Sequence, residues 1–233
     1  MFFFGMNRVY LSAREILELK LLVNEMFLSI QGESTFAGYP CAFIRLTGCN
    51  LRCRWCDTTY AFSGGKLMPI RAVIDQVKAY DVPLVEITGG EPLLQKNSLY
   101  LLTLLCDLGY EVLLETSGSL PVDRVDSRVH RIVDLKCPSS GQSEHNLLSN
   151  LDWLGKRDEL KFVIADRKDY EWAKNKLTQG KHWRDKVKAI TFSPVFGEMD
   201  PQLLSQWILE DKLKVRLGLQ IHKYIWGPDI KGV

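Results

Sequence analysis

Three of the chain's six cysteines fall within eight residues, as Cys49-Asn-Leu-Arg-Cys53-Arg-Trp-Cys56. A C-x3-C-x2-C run lets three thiolates turn around one small inorganic centre. Two centres compete for it. Structural zinc takes four ligands, commonly from two Cys/His pairs, and no fourth ligand is evident beside the run. Cys41 and Cys106 sit in apolar sequence and read as small core residues, and Cys137 lies far along the chain. An iron–sulfur cube held by only three thiolates keeps one iron without a protein ligand, and an open metal position is what chemistry needs. Three unligated surface thiols would be readily oxidised, which makes that the weakest reading.

Such a run needs elements to hold it. Apolar, strand-like stretches occur at 43–46, 84–87, 112–114, 132–135, 160–164, 189–192 and 215–221. Helical periods lie between several of them: Ile70, Val73, Ile74 and Val77; Leu147, Leu148, Leu151 and Leu154; Leu203, Leu204, Trp207 and Ile208. Strand then helix, repeated, predicts a parallel sheet, because a parallel crossover needs a long connection. About six such units are too few for a closed eight-fold barrel. The fold expected is α/β: an incomplete, open parallel β/α barrel. Polar clusters follow the strands at Thr88-Gly-Gly-Glu-Pro92, Glu115-Thr-Ser-Gly118, Lys136-Cys-Pro138, Ser193-Pro194 and His222-Lys223. In parallel α/β folds that end of the sheet carries the ligand site.

The 233-residue chain is 46% hydrophobic and 25% charged, the balance of a soluble globular protein. Lys+Arg total 30 and Asp+Glu 28, a net charge of +2 that gives no broad electrostatic case for nucleic acid. No stretch reaches the length needed to span a bilayer. The Met-Phe-Phe-Phe-Gly opening is too short for a signal peptide's apolar core, so a cytoplasmic setting is expected. Residues 1–22 read as a surface-packed extension with a helix over 9–22 capped by Ser12 and Glu15, and Met6 offers a second start. Residues 23–233 read as one domain. His130, His145 and His182 are expected at the surface, and His222 as a structural hydrogen-bonder.

The cysteine run, followed by a strand-end Gly89-Gly-Glu-Pro92, resembles the radical S-adenosylmethionine (SAM) superfamily. That resemblance implies a [4Fe–4S] cluster on Cys49, Cys53 and Cys56, with SAM on the open iron. Phe27-Leu-Ser-Ile-Gln-Gly-Glu33-Ser, Arg45-Leu-Thr-Gly-Cys49, Trp55-Cys-Asp-Thr58, Glu115-Thr-Ser-Gly118 and Gln220-Ile-His-Lys-Tyr-Ile225 narrow it. Together these are similar to the 7-carboxy-7-deazaguanine synthase family. Its implied reaction is a ring contraction of 6-carboxy-5,6,7,8-tetrahydropterin to 7-carboxy-7-deazaguanine with loss of ammonia, a step toward queuosine.

By resemblance, Trp55, Asp57, Gly90, Glu91, Ser117, Asp134 and Lys136 surround SAM, Glu91 accepting from its ammonium. Thr58 matches a Mg²⁺ position. Ile30, Gln31, Gly32 and Thr88 meet the pterin edge. Arg45 meets its carboxylate through a planar fork suited to two parallel bonds, Glu115 reaches the same region, and Pro228 approaches substrate. Blander roles stand beside these: Trp55 as a roof over the cluster, Asp134 and Lys136 as a solvated pair, Arg45 paired with a local acid. The resemblance further implies a homodimer and a flavodoxin or ferredoxin as electron donor. Two other readings share parts of the pattern: a glycyl-radical enzyme activase, and a non-catalytic zinc-binding module.

Overall fold

A computed structural model describes residues 11–233. Residues 1–10, with the opening Phe run and Met6, lie outside the described residues, as does the side chain of His182. Ser12 caps helix α1 (Ala13–Glu18), with the reciprocal Glu15 bond of a capping box. The predicted helix over 9–22 therefore stops at Glu18, and the chain enters the sheet at β1 (Lys20–Ile30).

The sheet continues with β2 (Pro40–Leu46), β3 (Lys66–Pro69), β4 (Leu84–Gly89), β5 (Glu111–Thr116), β6 (His130–Asp134), β7 (Glu159–Ile164), β8 (Ala189–Pro194) and β9 (Arg216–Leu217). The order is β3-β1-β2-β4-β5-β6-β7-β8-β9. β1 pairs antiparallel with β2 and β3, and every pair from β2 to β9 is parallel. The open β/α barrel is thus as expected, with an antiparallel edge of β1 and β3 that apolar runs alone did not reveal.

Helices α2 (Ile70–Tyr80), α3 (Ser98–Asp107), α4 (Arg167–Gln179), α5 (Lys181–Lys186), α6 (Pro201–Glu210) and α7 (Ile221–Trp226) complete the described chain. Ile70, Val73, Ile74 and Val77 of α2 are all buried, as their spacing predicts. Pro201 opens α6, and the Asp200 side chain caps it. β6 is buried at every position, as a strand covered on both faces must be.

Two expectations change. The Leu147–Leu154 period forms only a 3-10 turn over Leu148–Asp152. The Asn150 side chain bonds to the backbone of Gly118, Leu120 and Val122, which pins the segment as a connector. The last strand is two residues long, not seven. Gly218 N donates to Phe192 O at 2.9 Å, and Ile221 N then donates to Gly32 O at 3.0 Å, leading the backbone off the sheet and into α7.

Apolar packing falls on the two faces of the sheet. A large outer core joins the sheet to the helices. A small inner layer of Cys41, Phe43, Leu84, Leu113 and Ile132, with Phe27 and Phe36 against it, fills the lumen below the strand C-termini.

Candidate active site

A cavity of about 520 Å³ opens at the C-terminal ends of the parallel strands. The cysteine run forms one side. It leaves β2 through Gly48, whose N–H donates to Ala61 O at 2.8 Å. Arg52 braces it, donating to the carbonyls of Cys49 (2.9 Å) and Leu51 (2.7 Å) while stacking on Phe62. Arg54 lies over Trp55 and grips both Glu198 oxygens at 3.0 and 2.7 Å. Cys49, Cys53 and Cys56 are free, part-exposed thiols lining the cavity. Leu51 N–H points at Cys49 Sγ, 3.4 Å away. Burial raises the Cys49 and Cys53 thiols above their ordinary range, so binding a metal must displace their protons.

The Gly-Gly-Glu-Pro turn ends β4 against this loop. A Cβ on Gly90 would stand 2.2 Å from Gly48 O and 2.7 Å from Cys49 Cβ, so only glycine allows that approach. Glu91 is wholly buried and does not line the cavity. Its carboxylate accepts from Thr116 Oγ1 at 2.9 Å, from Ser117 N at 2.8 Å, from Ser117 Oγ at 2.6 Å and from Leu93 N at 3.0 Å. Its place is behind the wall, holding the end of β5. Every other residue singled out for cluster, SAM, magnesium or pterin lines this one cavity.

Asp134 and Lys136 form the wall beside Cys53, joined at 2.7 Å and nearly buried, so they are no solvated pair. Asp134 Oδ1 has no protein partner among the described residues. Arg45 also faces the cavity, with its Nε held by Glu25 at 2.7 Å, the local acid that the blander reading anticipates. Tyr60 donates to the same Glu25 oxygen at 2.9 Å. Thr58 Oγ1 sits 3.7 Å from Cys56 Sγ. Pro228 lines the mouth together with Asp229 and Val233.

The floor is charged. Lys161 of β7 contacts Glu33 and, at 2.7 Å, Glu115. Gln31 donates to Glu86, and Gln220 donates to Glu33 at 2.9 Å. Burial works against the Glu33 charge, but Lys161 outweighs it and holds that carboxyl below its ordinary range. Burial, reinforced by the neighbouring Glu115, pushes Glu86 well up. Glu115 is raised by burial despite Lys161. Burial lowers His222, so its imidazole stays neutral near pH 7. His222 also packs on Gly32, where a Cβ would meet its ring at 1.9 Å.

Residues 43–138 match the Radical SAM superfamily. The 7-carboxy-7-deazaguanine synthase of Chlorobaculum tepidum is 53% identical over 219 residues, which are 93% of this chain and 99% of the relative. The chain belongs to the 7-carboxy-7-deazaguanine synthase family. The relative of the same name from Koribacter versatilis is 48% identical, over 91% of this chain and 99% of its own. Among solved structures, the crystal structure of QueE from Escherichia coli superposes with a TM-score of 0.73 at 25% identity, covering 91% of this chain and 99% of that one.

Membership of this radical SAM family implies a [4Fe–4S] cluster and SAM, and the residues present fit both. The donors are three free thiols on one loop. The unpaired Asp134 oxygen and the Gly90 approach give a polar, close-fitting wall beside them.

Sequence reasoning placed the cavity's upper wall and missed most of its floor. Glu33, Glu86, Lys161, Gln220 and Lys223 went unassigned. Lys223 reaches Asp57 at 2.7 Å. Glu33, Gln220 and Lys223 stand within motifs quoted above, whereas the only sequence signal of Glu86 and Lys161 is a charged residue interrupting an apolar strand. His130, expected at the surface, is wholly buried. It opens β6 inside the barrel, where Glu159 of the neighbouring strand partners it.

Proposed function

We propose that this enzyme converts 6-carboxy-5,6,7,8-tetrahydropterin to 7-carboxy-7-deazaguanine and ammonia. One observation carries the reading. The thiol loop, a carboxylate-binding arginine and a ring of buried donors and acceptors face a single cavity. Its volume of about 520 Å³ lies in the range typical of sites for small organic molecules.

Cys49, Cys53 and Cys56 hold the cluster, and Trp55, Asp57, Gly90, Ser117, Asp134 and Lys136 form the SAM pocket. Bound there, cluster and SAM supply a carbon-centred radical able to take hydrogen from substrate. The protein binds, orients and excludes water. Glu91 fixes Ser117 from behind. Arg45 presents its guanidinium to the pterin carboxylate, its Nε edge already steadied by Glu25. Thr88 and the backbone of residues 30–32 meet the pterin's donor and acceptor edge, and Pro228 closes the mouth. Loss of ammonia needs a proton for the leaving nitrogen. Glu86 and Glu115 hold protons more tightly than ordinary carboxyls and line the same floor.

Thr58 supplies an oxygen ligand for Mg²⁺, the remaining ligands coming from water and substrate. A homodimer, a flavodoxin or ferredoxin as reductant, and a reducing cytoplasmic setting complete the reading. No helix among the described residues is long and apolar enough to cross a membrane.

The test is an oxygen-free incubation of reconstituted enzyme with SAM, a reductant and the carboxytetrahydropterin, with and without Mg²⁺. New deazapurine absorbance and released ammonia are expected, faster with Mg²⁺. Absence of both products in cluster-loaded protein would refute the assignment.

A further inference from the structure

The connection between β1 and β2, residues 31–39, carries Gln31, Gly32 and Glu33 into the cavity. It has little structure of its own to hold it there. Its own bonds are Gln31 N to Tyr39 O and Gly38 N to Gln31 O, both 2.8 Å, Tyr39 N to Phe36 O and Phe36 N to Ser34 Oγ, both 3.1 Å, and Glu33 N to Gln31 Oε1. Ser34, a non-glycine residue, sits at φ 57°, a left-handed conformation that a surrounding structure must enforce.

The enforcement comes from below the cavity. Side chains two apart on a strand share a face. Lys161 of β7 meets Glu33, and Glu159, two residues earlier, meets Thr35. One Glu159 oxygen, Oε1, accepts from Thr35 N at 2.9 Å, from Thr35 Oγ1 at 2.6 Å and from His130 Nε2 at 2.8 Å. The His130 and Glu159 side chains are 0% and 1% exposed. Phe36 stands edge-on against the His130 ring, with centroids 5.0 Å apart. Burial works against the Glu159 charge, but the His130 and Thr35 bonds outweigh it and keep its carboxyl below the ordinary range. Among the described residues His130 Nδ1 and Glu159 Oε2 are unpaired, so burying this pair costs stability. What the pair secures is the loop. None of Thr35, His130 and Glu159 lines the cavity.

We infer that His130 and Glu159 are positioning residues for substrate binding: they clamp Thr35 at the barrel floor and so hold Gln31, Gly32 and Glu33 in register with the pterin. The inference rests on the pterin reading above. At its other end the loop is held by α7, through Ile221 N on Gly32 O, so the clamp fixes the half that α7 does not reach.

Thr35→Val tests this, since it removes the hydroxyl donor, keeps the backbone N–H and nearly keeps the volume. Thr35 lies only part-buried, which favours folding of the variant. In cluster-loaded enzyme without pterin, amide hydrogen exchange over 31–39 should rise severalfold while the 49–56 loop stays unchanged. The pterin KM should rise about tenfold, the loss expected of one charge-assisted hydrogen bond, with kcat within about twofold. Thr35→Ser should restore both, and Glu159→Gln should reproduce the KM effect. Unchanged loop exchange would overturn the inference, as would faster exchange with an unchanged KM, or a fall in kcat alone. Wild-type enzyme inert toward the pterin would instead overturn the reading of function, and loop exchange would still judge the clamp.

Discussion

At the scale of single residues, chemistry concentrates where charge or sulfur is held away from water. Cys53→Ala should remove most iron and the visible charge-transfer absorption of anaerobically prepared protein, while its circular dichroism stays that of wild type; full iron content in the variant would sink the cluster assignment. Lys161 is the cation between Glu33 and Glu115. Lys161→Met leaves two buried carboxylates without it, and such uncompensated charge costs about 3–5 kcal/mol. Urea unfolding at neutral pH measures that loss, which should shrink in acid as the carboxyls protonate. Glu86 gives the opposite pH signature to Glu33. Its raised carboxyl contributes stability below the ordinary value of 4.5, lost as pH climbs through the folded value. Glu33 is lowered, so its contribution is present above 4.5 and lost as pH falls through its folded value. Glu86→Gln should therefore flatten the decline in unfolding midpoint on the alkaline side of 4.5. An equally steep decline in the variant would show that Glu86 does not cause it.

At the scale of elements, the site is made by strand ends meeting loops. Glu91 lies behind the end of β5 and orders Thr116 and Ser117, so this motif residue shapes the cavity wall. Gly90→Ala would drive a methyl group into Gly48 O and Cys49 Cβ. Backbone must move to relieve that, and the cysteine loop is the neighbour that moves. Reduced iron content and weaker SAM binding, read by iron analysis and calorimetry, are the expected results.

At the scale of the molecule, the sheet is open, and helices wrap its outer face. Phe162 and Phe192, on adjacent strands, pack with rings 5.5 Å apart. Tyr170 of α4 meets Phe192 at 5.9 Å and Trp207 of α6 at 5.3 Å. This chain of rings ties β7 and β8 to two helices on the outer face of the sheet. Phe192→Ala should cost about 3–5 kcal/mol, as truncating a buried phenylalanine does, through lost burial plus a cavity. Denaturant unfolding checks it, and a loss under about 1 kcal/mol would mean that the site can collapse around the gap.

The sequence by itself determined the parts that depend on local spacing. Three thiols within eight residues, glycines where backbones touch, apolar runs and a helical period all declare themselves along the chain. They were enough for the open β/α barrel, the cluster loop and the strand-end motifs. Tertiary structure alone decided which polar side chains meet across strands. Glu33 and Lys161 are 128 residues apart, and His130 and Glu159 are 29. Nothing in local propensity marks such partners, because their pairing is set by sheet register and by how one loop folds into the lumen. The physical reason is that a buried charge is costly unless paired, and only the assembled barrel brings the partners together.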